Sequence, residues 1–173
     1  MANTNAENTI TAQMSNEEIH ALYDSYFITL KHANLRDLKQ SRKDLLMWRR
    51  GSAQLVLKIN ANLNNLSIYS VLITDVDPTP ELYRTLLTYN TLQRREALGM
   101  VEREGKSYIV LKYTMELEVA TMPVVQRHVF ALQEIADQLD TELAKQFGGK
   151  LHFEDWEKMD QKSVDNLMES LFN

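Results

Sequence analysis

The chain has 173 residues, of which 44% are hydrophobic and 25% are charged, a composition typical of a soluble globular domain. Its net charge of −5 disfavours a nucleic-acid-binding surface, and the absence of cysteine excludes disulfides and thiolate chemistry. No apolar run reaches the roughly 18 residues of a membrane span, and the N-terminus shows no secretion signal. We therefore expect a cytoplasmic protein without a membrane partner.

The first part of the chain changes from polar to amphipathic at Ser15. Residues 1–14 are rich in Asn and Thr and lack an apolar period, which predicts a disordered arm. Ser15 and Glu18 have the spacing of a capping box, in which each side chain accepts the other residue's backbone N–H. We therefore expect a helix from about 16 to 33. Its apolar residues recur at helical spacing: Ile19, Leu22, Tyr23, Tyr26 and Leu30.

Strands with short turns are predicted next. Residues 34–44 are charged and ambiguous, whereas 44–50 could form a first strand that ends at the turn Gly51-Ser52. Residues 53–61 alternate between apolar and polar, which indicates a half-buried strand with one mostly wet face. Residues 66–76 are apolar on both faces, as is typical of a central strand or of one that faces a partner.

The segment from Asp77 to Gly99 predicts a helix between two groups of strands. Thr79 can cap it, Pro80 suits the first helical position, and Gly99 marks its exit. Its apolar positions cover an arc of roughly 220°, whereas one buried face needs little more than about 100°. We expect the excess to contact a second copy of the chain. The predicted dimer interface consists of Leu82, Leu86, Tyr89 and Leu92.

A second hairpin and a long helix complete the predicted domain. The hairpin turns near Gly105, and residues 108–119 alternate as a long antiparallel strand. Pro123 opens a helix with apolar residues at i, i+3 and i+4, and Gly148-Gly149 stops it.

The composition changes again at Lys150. Residues 150–173 contain six acidic residues and three lysines, so this segment carries −3 of the net charge of −5. A short amphipathic helix is predicted after Ser163, and the segment either docks on its own domain or binds a partner. The sequence thus divides into an arm at 1–14, a domain at 15–149 and an acidic tail at 150–173.

The predicted element order is α-β-β-β-α-β-β-α. Consecutive strands joined by short turns pair in antiparallel fashion, and the helices stack on a face of the sheet. We therefore expect an α+β fold, an antiparallel five-stranded sheet with helices packed on it.

Patterns that indicate catalysis or metal binding are missing from the sequence. It contains no glycine-rich phosphate loop, its four histidines lie in separate predicted elements, and no Ser or Thr lies in a nucleophile elbow. Glu116 and Glu118 share a strand face, but such a face is usually solvated. We expect no enzymatic activity, no cofactor and no metal site.

Two groups of apolar residues are candidates for binding another polypeptide. Trp48 stands beside two arginines at a strand end, where it either forms a binding hot spot or packs on the sheet. Tyr69, Val71 and Ile73 share the second face of a strand and are either additional core or a binding platform. These four residues are the predicted client contacts.

The element order and three stretches of sequence resemble the class I type III secretion chaperones and the YbjN-like proteins. The stretches are LYRTLLTYN, LGMVEREGKSYIVLKYTMELE and VVQRHVFALQEIADQLDTEL, and the resemblance covers about residues 16–148. The amino-acid sequence of these stretches also resembles that of a cyanobacterial branch of this superfamily.

This resemblance implies a function without catalysis. Members of the superfamily are typically small, acidic and dimeric, commonly through the middle helix, and they bind extended segments of client proteins. We therefore expect a homodimeric chaperone or assembly adaptor, for which carboxysome-shell assembly is one specific option. The alternative is a regulatory or small-molecule-sensing domain, which would show an enclosed pocket with convergent polar groups.

Overall fold

The computed structural model describes residues 14–33, 35–42, 45–92, 95–103 and 105–151. In this part of the chain, three helices pack on one face of an antiparallel sheet. The helices are α1 (Asn16–His32), α2 (Pro80–Leu92) and α3 (Met122–Phe147). The strands are β1 (Arg36–Arg42), β2 (Leu45–Arg50), β3 (Ala53–Asn60), β4 (Asn65–Thr74), β5 (Ala97–Arg103), β6 (Lys106–Glu116) and β7 (Lys150–Leu151). The predictions for residues 1–13 and 152–173 lie outside the described residues.

The sheet has seven strands rather than the predicted five, in the order β1-β2-β3-β4-β6-β5, with β7 paired to the end of β4. The sequence missed β1 because its residues are mostly charged and polar, as suits an edge strand. It missed β7 because two residues after a double glycine carry no strand pattern. The α+β class and the antiparallel pairing are confirmed, as is the central position of β4 between β3 and β6.

The helix α1 is capped as predicted and is tied to the rest of the domain by two tyrosines. Glu18 donates its N–H to Ser15 Oγ at 3.3 Å, and its carboxylate accepts the Ser15 N–H at 2.8 Å. The Tyr23 hydroxyl accepts a backbone N–H from β3, and the Tyr26 hydroxyl donates to the carbonyl of Ala120 at 2.5 Å. Burial raises the pKa of Tyr26 to about 12, so this hydroxyl stays protonated and able to donate.

The hydrophobic core lies between the helices and the sheet. β3 and β6 supply it with alternate side chains, and β4 supplies apolar residues along its whole length. One polar pair also lies within it: the rings of Tyr113 and His128 stack at 4.2 Å, and the hydroxyl and Nε2 are 3.0 Å apart. Burial, followed by the charges of Arg127 and Arg95, lowers the pKa of His128, which favours the neutral ring.

The helix α2 begins as predicted but ends earlier. Thr79 Oγ1 accepts the N–H of Leu82 at 3.2 Å, and Pro80 is the first helical residue. The helix ends at Leu92, and Gly99, predicted as its exit, lies inside β5 instead. The glycine is therefore a strand residue, because the chain after the helix already alternates between the core side and the other side of the sheet.

The turn between β2 and β3 is held against α3. The Ser52 N–H donates to Asp137 Oδ1 at 3.1 Å, and its hydroxyl donates to Asp140 Oδ2 at 2.8 Å. Gly51 has φ +53° and no room for a side chain, because a Cβ there would lie 1.8 Å from Asp137 Oδ1. Burial raises the pKa of Asp140, and hydrogen bonds from Ser52 and Thr141 partly offset this effect.

We expect Gly51→Ala to lower the free energy of unfolding by about 2–3 kcal/mol. The substitution adds the strain of a left-handed alanine, about 1 kcal/mol, to the loss of the Asp137 hydrogen bond, about 1–2 kcal/mol. Gly105→Ala is the matched control, since Gly105 has φ +75° but nothing lies within 4 Å of the position that a Cβ would take there. Urea unfolding of both variants measures the difference, and equal losses would contradict the contact with α3.

Candidate functional site

The helix α2 divides its apolar residues between the core and solvent. Leu82 and Leu86 are 0% and 5% exposed and belong to the core of their own subunit, and Tyr89 is half-buried against it. Among the four residues predicted to form a dimer interface, Leu92 alone is highly exposed, at 74%. The burial of Leu82 and Leu86 corrects their assignment, because a side chain enclosed by its own sheet cannot reach a second subunit.

The exposed apolar surface of α2 lies beside the predicted stripe. Tyr83 and Leu87 are 43% and 67% exposed and stand four positions apart, so they are neighbours on one side of the helix. We call this pair the α2 flank. Leu92 lies on the opposite side, at about 140° from Leu87 at 100° per residue. The apolar arc of α2 is therefore wider than its own sheet covers, as the sequence predicted.

The sheet face opposite the helices carries a second apolar cluster, which we call the open face. Side chains from β2, β3, β4 and β6 form it, and strand register aligns them: Met47 is opposite Val56, and Val71 is opposite Val110. Its residues are Leu45, Met47, Val56, Tyr69, Val71, Tyr108 and Val110. Each is at most 7% exposed, although no residue of α1, α2 or α3 in the described part of the chain belongs to the cluster.

Polar residues border the open face. Thr114 on β6 and Ser67 on β4 are bonded through their hydroxyls at 2.9 Å. The Lys112 ammonium lies 5.4 Å from the centre of the Tyr69 ring, within range of a cation–π interaction. Burial raises the pKa of Tyr69, while a hydrogen bond with Ser67 lowers it. An apolar centre with a polar, basic border is the usual composition of a polypeptide-binding surface.

Two of the four predicted client contacts lie on the open face. Tyr69 and Val71 belong to it, whereas Trp48 and Ile73 face the helix-side core, where both are 0% exposed. Trp48 takes this side because it alternates with Met47 along β2. Ile73 does so because the β4–β6 register shifts between Val71 and Ile73, and one extra residue turns the following side chains to the other face.

Sequence reasoning missed the rest of the open face. Val56 lies on the side of β3 that was expected to be mostly wet, yet Val56 and Gln54 are 1% and 6% exposed. Tyr108 and Val110 stand between the core residues of β6, where their apolar character was the available signal. Further along β6, the residues on the same face are polar, namely Lys112, Thr114 and Glu116, and they obscured that signal.

The two edges of the sheet are not simple sites for strand addition. The register of β1 against β2 is broken twice, and Asp37 has φ +54°, features that make an edge irregular. At the other edge, Asn90 of α2 donates to the carbonyl of Leu98 at 2.8 Å and accepts its N–H at 2.7 Å. Asn90 therefore occupies backbone groups of β5 that an added strand would need.

A cleft of about 640 Å³ lies between the β4–α2 connection and the β5–β6 turn. Two of its polar side chains have partners within the fold: the Ser107 hydroxyl donates to the carbonyl of Val76, and Asp75 pairs with Lys150 at 3.1 Å. The cleft is open to solvent rather than enclosed. It is therefore not the enclosed pocket that a small-molecule sensor is expected to show.

The described ranges contain neither a metal site nor a membrane-spanning helix. Among these residues, no group of three or more His, Cys, Asp or Glu side chains could hold a metal ion. The described helices also include none that is long and apolar enough to cross a membrane.

The fold is similar to that of a chain in the crystal structure of the ExsC–ExsE complex. The superposition has a TM-score of 0.57 and 13% sequence identity, and it covers 71% of this chain and 93% of that chain. This likeness defines the class of fold, an α+β architecture of an antiparallel sheet with helices packed on it.

The sequence itself then identifies the family. Residues 28–155 match TY-Chap1, described as the T3SS (YopN, CesT) and YbjN peptide-binding chaperone 1 family. The chain therefore belongs to this family of peptide-binding chaperones, which confirms the resemblance found in the sequence. No curated protein matches the sequence.

Proposed function

We propose that the protein is a homodimeric, non-enzymatic chaperone or assembly adaptor that holds a segment of a client protein on the open face. The observation that carries the proposal is the second apolar cluster, which is built on the side of the sheet opposite all three helices. A domain of this size needs one core, and here the helix side already provides it. The second cluster is therefore additional to the helix-side core, and it is the surface on which this proposal places the client segment.

The energy available on the open face suits reversible binding. Burying a client's Val, Leu or Met side chain contributes about 1.5–3 kcal/mol, and ordering a flexible segment costs about 2–5 kcal/mol. Three or four apolar side chains would leave about 4–5 kcal/mol, which corresponds to a dissociation constant of roughly 0.2–1 mM. A client that binds at this strength can be released to its final partner.

The border of the face indicates the chemistry of the client. Lys58 and Lys112 stand on the same side of the sheet as the apolar cluster, at neighbouring rows of the strand register. An extended segment with apolar residues at alternate positions and acidic residues between them would match both features. A shell-assembly adaptor, the specific option suggested by the sequence, is one form of this function.

The α2 flank supports the dimer in this proposal. Tyr83 and Leu87 project from the helix that the sequence predicted to form the dimer interface. In a two-fold symmetric dimer, the flanks of the two subunits would pack together, and each subunit would bury its own Tyr83 and Leu87. The open face lies on the other side of the sheet from the core that α2 covers, so dimer contact and client contact use separate surfaces.

Peptide binding to variants of the open face tests the proposed function. The probe is a displayed library of 15-residue peptides, and the binders are then measured against the double variant Val56→Thr, Val71→Thr. Valine and threonine have nearly the same volume, so the face loses apolar area without gaining bulk. Because a buried hydroxyl costs about 1–3 kcal/mol, circular dichroism of the double variant must show that it is folded before its binding is compared. We expect an affinity loss of about tenfold or more, since two lost methyl contacts are worth roughly 1.6 kcal/mol.

Val119→Thr is the matched control, because Val119 is 55% exposed and lies away from the open face. It should bind the same peptides with unchanged affinity. If the double variant binds like the wild type, or if only Val119→Thr weakens binding, the client site lies elsewhere.

A further inference from the structure

The open face is more deeply buried than the described elements explain. Val56 and Val71 are 1% and 2% exposed, yet the described helices contribute no residue to their cluster. Side chains that project from an uncovered sheet keep contact with water on their outer side. No described helix therefore covers this face, which leaves the role of a cover to a segment outside the described ranges.

Two segments of the chain lie outside the described ranges at its ends, and their compositions differ. Residues 1–13 include only two large apolar residues, Met1 and Ile10. Residues 152–173 include eight: Phe153, Trp156, Met159, Val164, Leu167, Met168, Leu171 and Phe172. The C-terminal segment thus has the apolar side chains that a cover needs, and it lies mostly beyond the part of the chain that matches the family.

The position of β7 directs this segment toward the open face. Lys150 and Leu151 pair with Thr74 and Ile73, on the side of β4 that β3 occupies further along. A chain that continues past Leu151 in the same direction runs into the start of β3 at Ala53. The pairing of β7 thus leaves space for a continuation only above or below the plane of the sheet.

One of the two exits from the plane is blocked. On the helix side, the turn next to Ala53 is fastened to α3 through Asp137 and Asp140, and a Cβ on Gly51 would already overlap Asp137. The other exit leads over Gln54 and Val71, which are opposite each other at the border of the open face. The geometry of the backbone thus favours the side that carries the second cluster.

Charge favours the same placement. Residues 152–173 contain six acidic residues and two lysines, a net charge of −4. The open face is bordered by Lys58 and Lys112, so an acidic, apolar segment complements it in both respects.

We propose that residues 152–173 dock on the open face of their own subunit and hold the place of a client, which must displace them. The second half of this statement rests on the proposed function. A short tether gives an effective concentration on the order of 1 mM, so a tail that binds with a dissociation constant of about 10–100 µM weakens client binding roughly 10- to 100-fold. The tail thereby excludes weak, non-specific ligands from the face.

Spin labelling of the full chain tests the docking directly. The protein has no cysteine, so Lys112→Cys places a single label at the open face. Gln138→Cys, on the exposed side of α3, is the matched control. We expect the amide signals of residues 152–173 to broaden with the label at 112 and not with the label at 138. The reverse pattern, or no broadening from either label, overturns the proposal.

Mixed samples identify the subunit. Protein that carries the spin label at natural isotope abundance is combined with ¹⁵N-labelled protein that carries no spin label. Broadening of the tail in this sample assigns it to the face of another copy and overturns docking within the subunit.

Displacement is tested with a synthetic peptide that has the sequence of residues 152–173. We expect it to bind the full-length variant Trp156→Ser, Leu167→Ser at least tenfold more tightly than it binds the wild type, because the variant tail leaves the face vacant. Equal affinities overturn the proposal. These measurements use no client, so a docked tail in a protein that binds no library peptide contradicts the proposed function alone, whereas library binding with an undocked tail contradicts this inference alone.

Discussion

Leu87→Asp is expected to convert the proposed dimer into a monomer while leaving the subunit folded. Leu87 is 67% exposed in the subunit, so an aspartate there is solvated when the subunit is alone. In a symmetric interface, the same substitution would place two carboxylates in an apolar contact. Loss of the leucine contact is worth about 2 kcal/mol per subunit, and desolvation of the charge adds to it. We expect the dimer dissociation constant to rise by about 10³-fold or more.

Sedimentation equilibrium at micromolar concentration measures this effect. The wild type should show twice the subunit mass of 20.1 kDa, and Leu87→Asp should show the single mass. Leu92→Asp is the matched control, since Leu92 is equally solvent-accessible, at 74%, but lies on the other side of α2. It should leave most of the dimer intact.

A Leu→Asp substitution at position 86, one residue before Leu87, has a different expected outcome. Leu86 is 5% exposed and lies in the core, so Leu86→Asp should unfold the subunit rather than separate two folded ones. A dimer that survives Leu87→Asp but dissociates on Leu92→Asp would place the interface on the opposite flank. A dimer that survives both substitutions would show that α2 is not the contact.

The width of the apolar arc on α2 was predictable from sequence, but its orientation was not. Helical periodicity gives the angular separation of Leu82, Leu87 and Leu92 without any reference to the sheet. A broad arc contains several sectors that could each fill the core equally well. The sector that does so is fixed by the path of the chain into β5, where Asn90 bonds both backbone groups of Leu98. Neither the helical period of α2 nor the strand period of β5 specifies that contact.

The open face shows a similar limit to what sequence patterns can predict. The alternation of β3 and β6 and the continuous apolar run of β4 predicted these strands, because a strand repeats every two residues and a central one is apolar on both faces. The face that each residue takes depends on register, and a single irregularity in the β4–β6 pairing moves Ile73 into the helix-side core. The burial of Val56 likewise depends on its neighbours, Met47 and Tyr69, which lie on other strands. Single-strand patterns therefore predict elements better than they predict a surface assembled from four strands.

Trp48 was predicted as a possible client contact, and its position now predicts a large effect on stability instead. It is 0% exposed and packs in the helix-side core, opposite Leu55 of β3. We expect Trp48→Ala to lower the free energy of unfolding by about 3–5 kcal/mol, a large share of the roughly 5–15 kcal/mol that holds an ordinary domain together. Urea unfolding followed by circular dichroism measures the loss.

Trp48→Phe separates packing from binding. The indole N–H of Trp48 is buried without a hydrogen-bond partner in the described part of the chain, and such a group costs about 1–3 kcal/mol. Phenylalanine removes that cost while it keeps most of the ring, so the net loss should stay below about 1.5 kcal/mol. Because Trp48 lies on the opposite side of the sheet from the open face, Trp48→Phe should bind library peptides like the wild type. A stable Trp48→Phe variant with weakened peptide binding would instead show that client segments reach the helix side of the sheet.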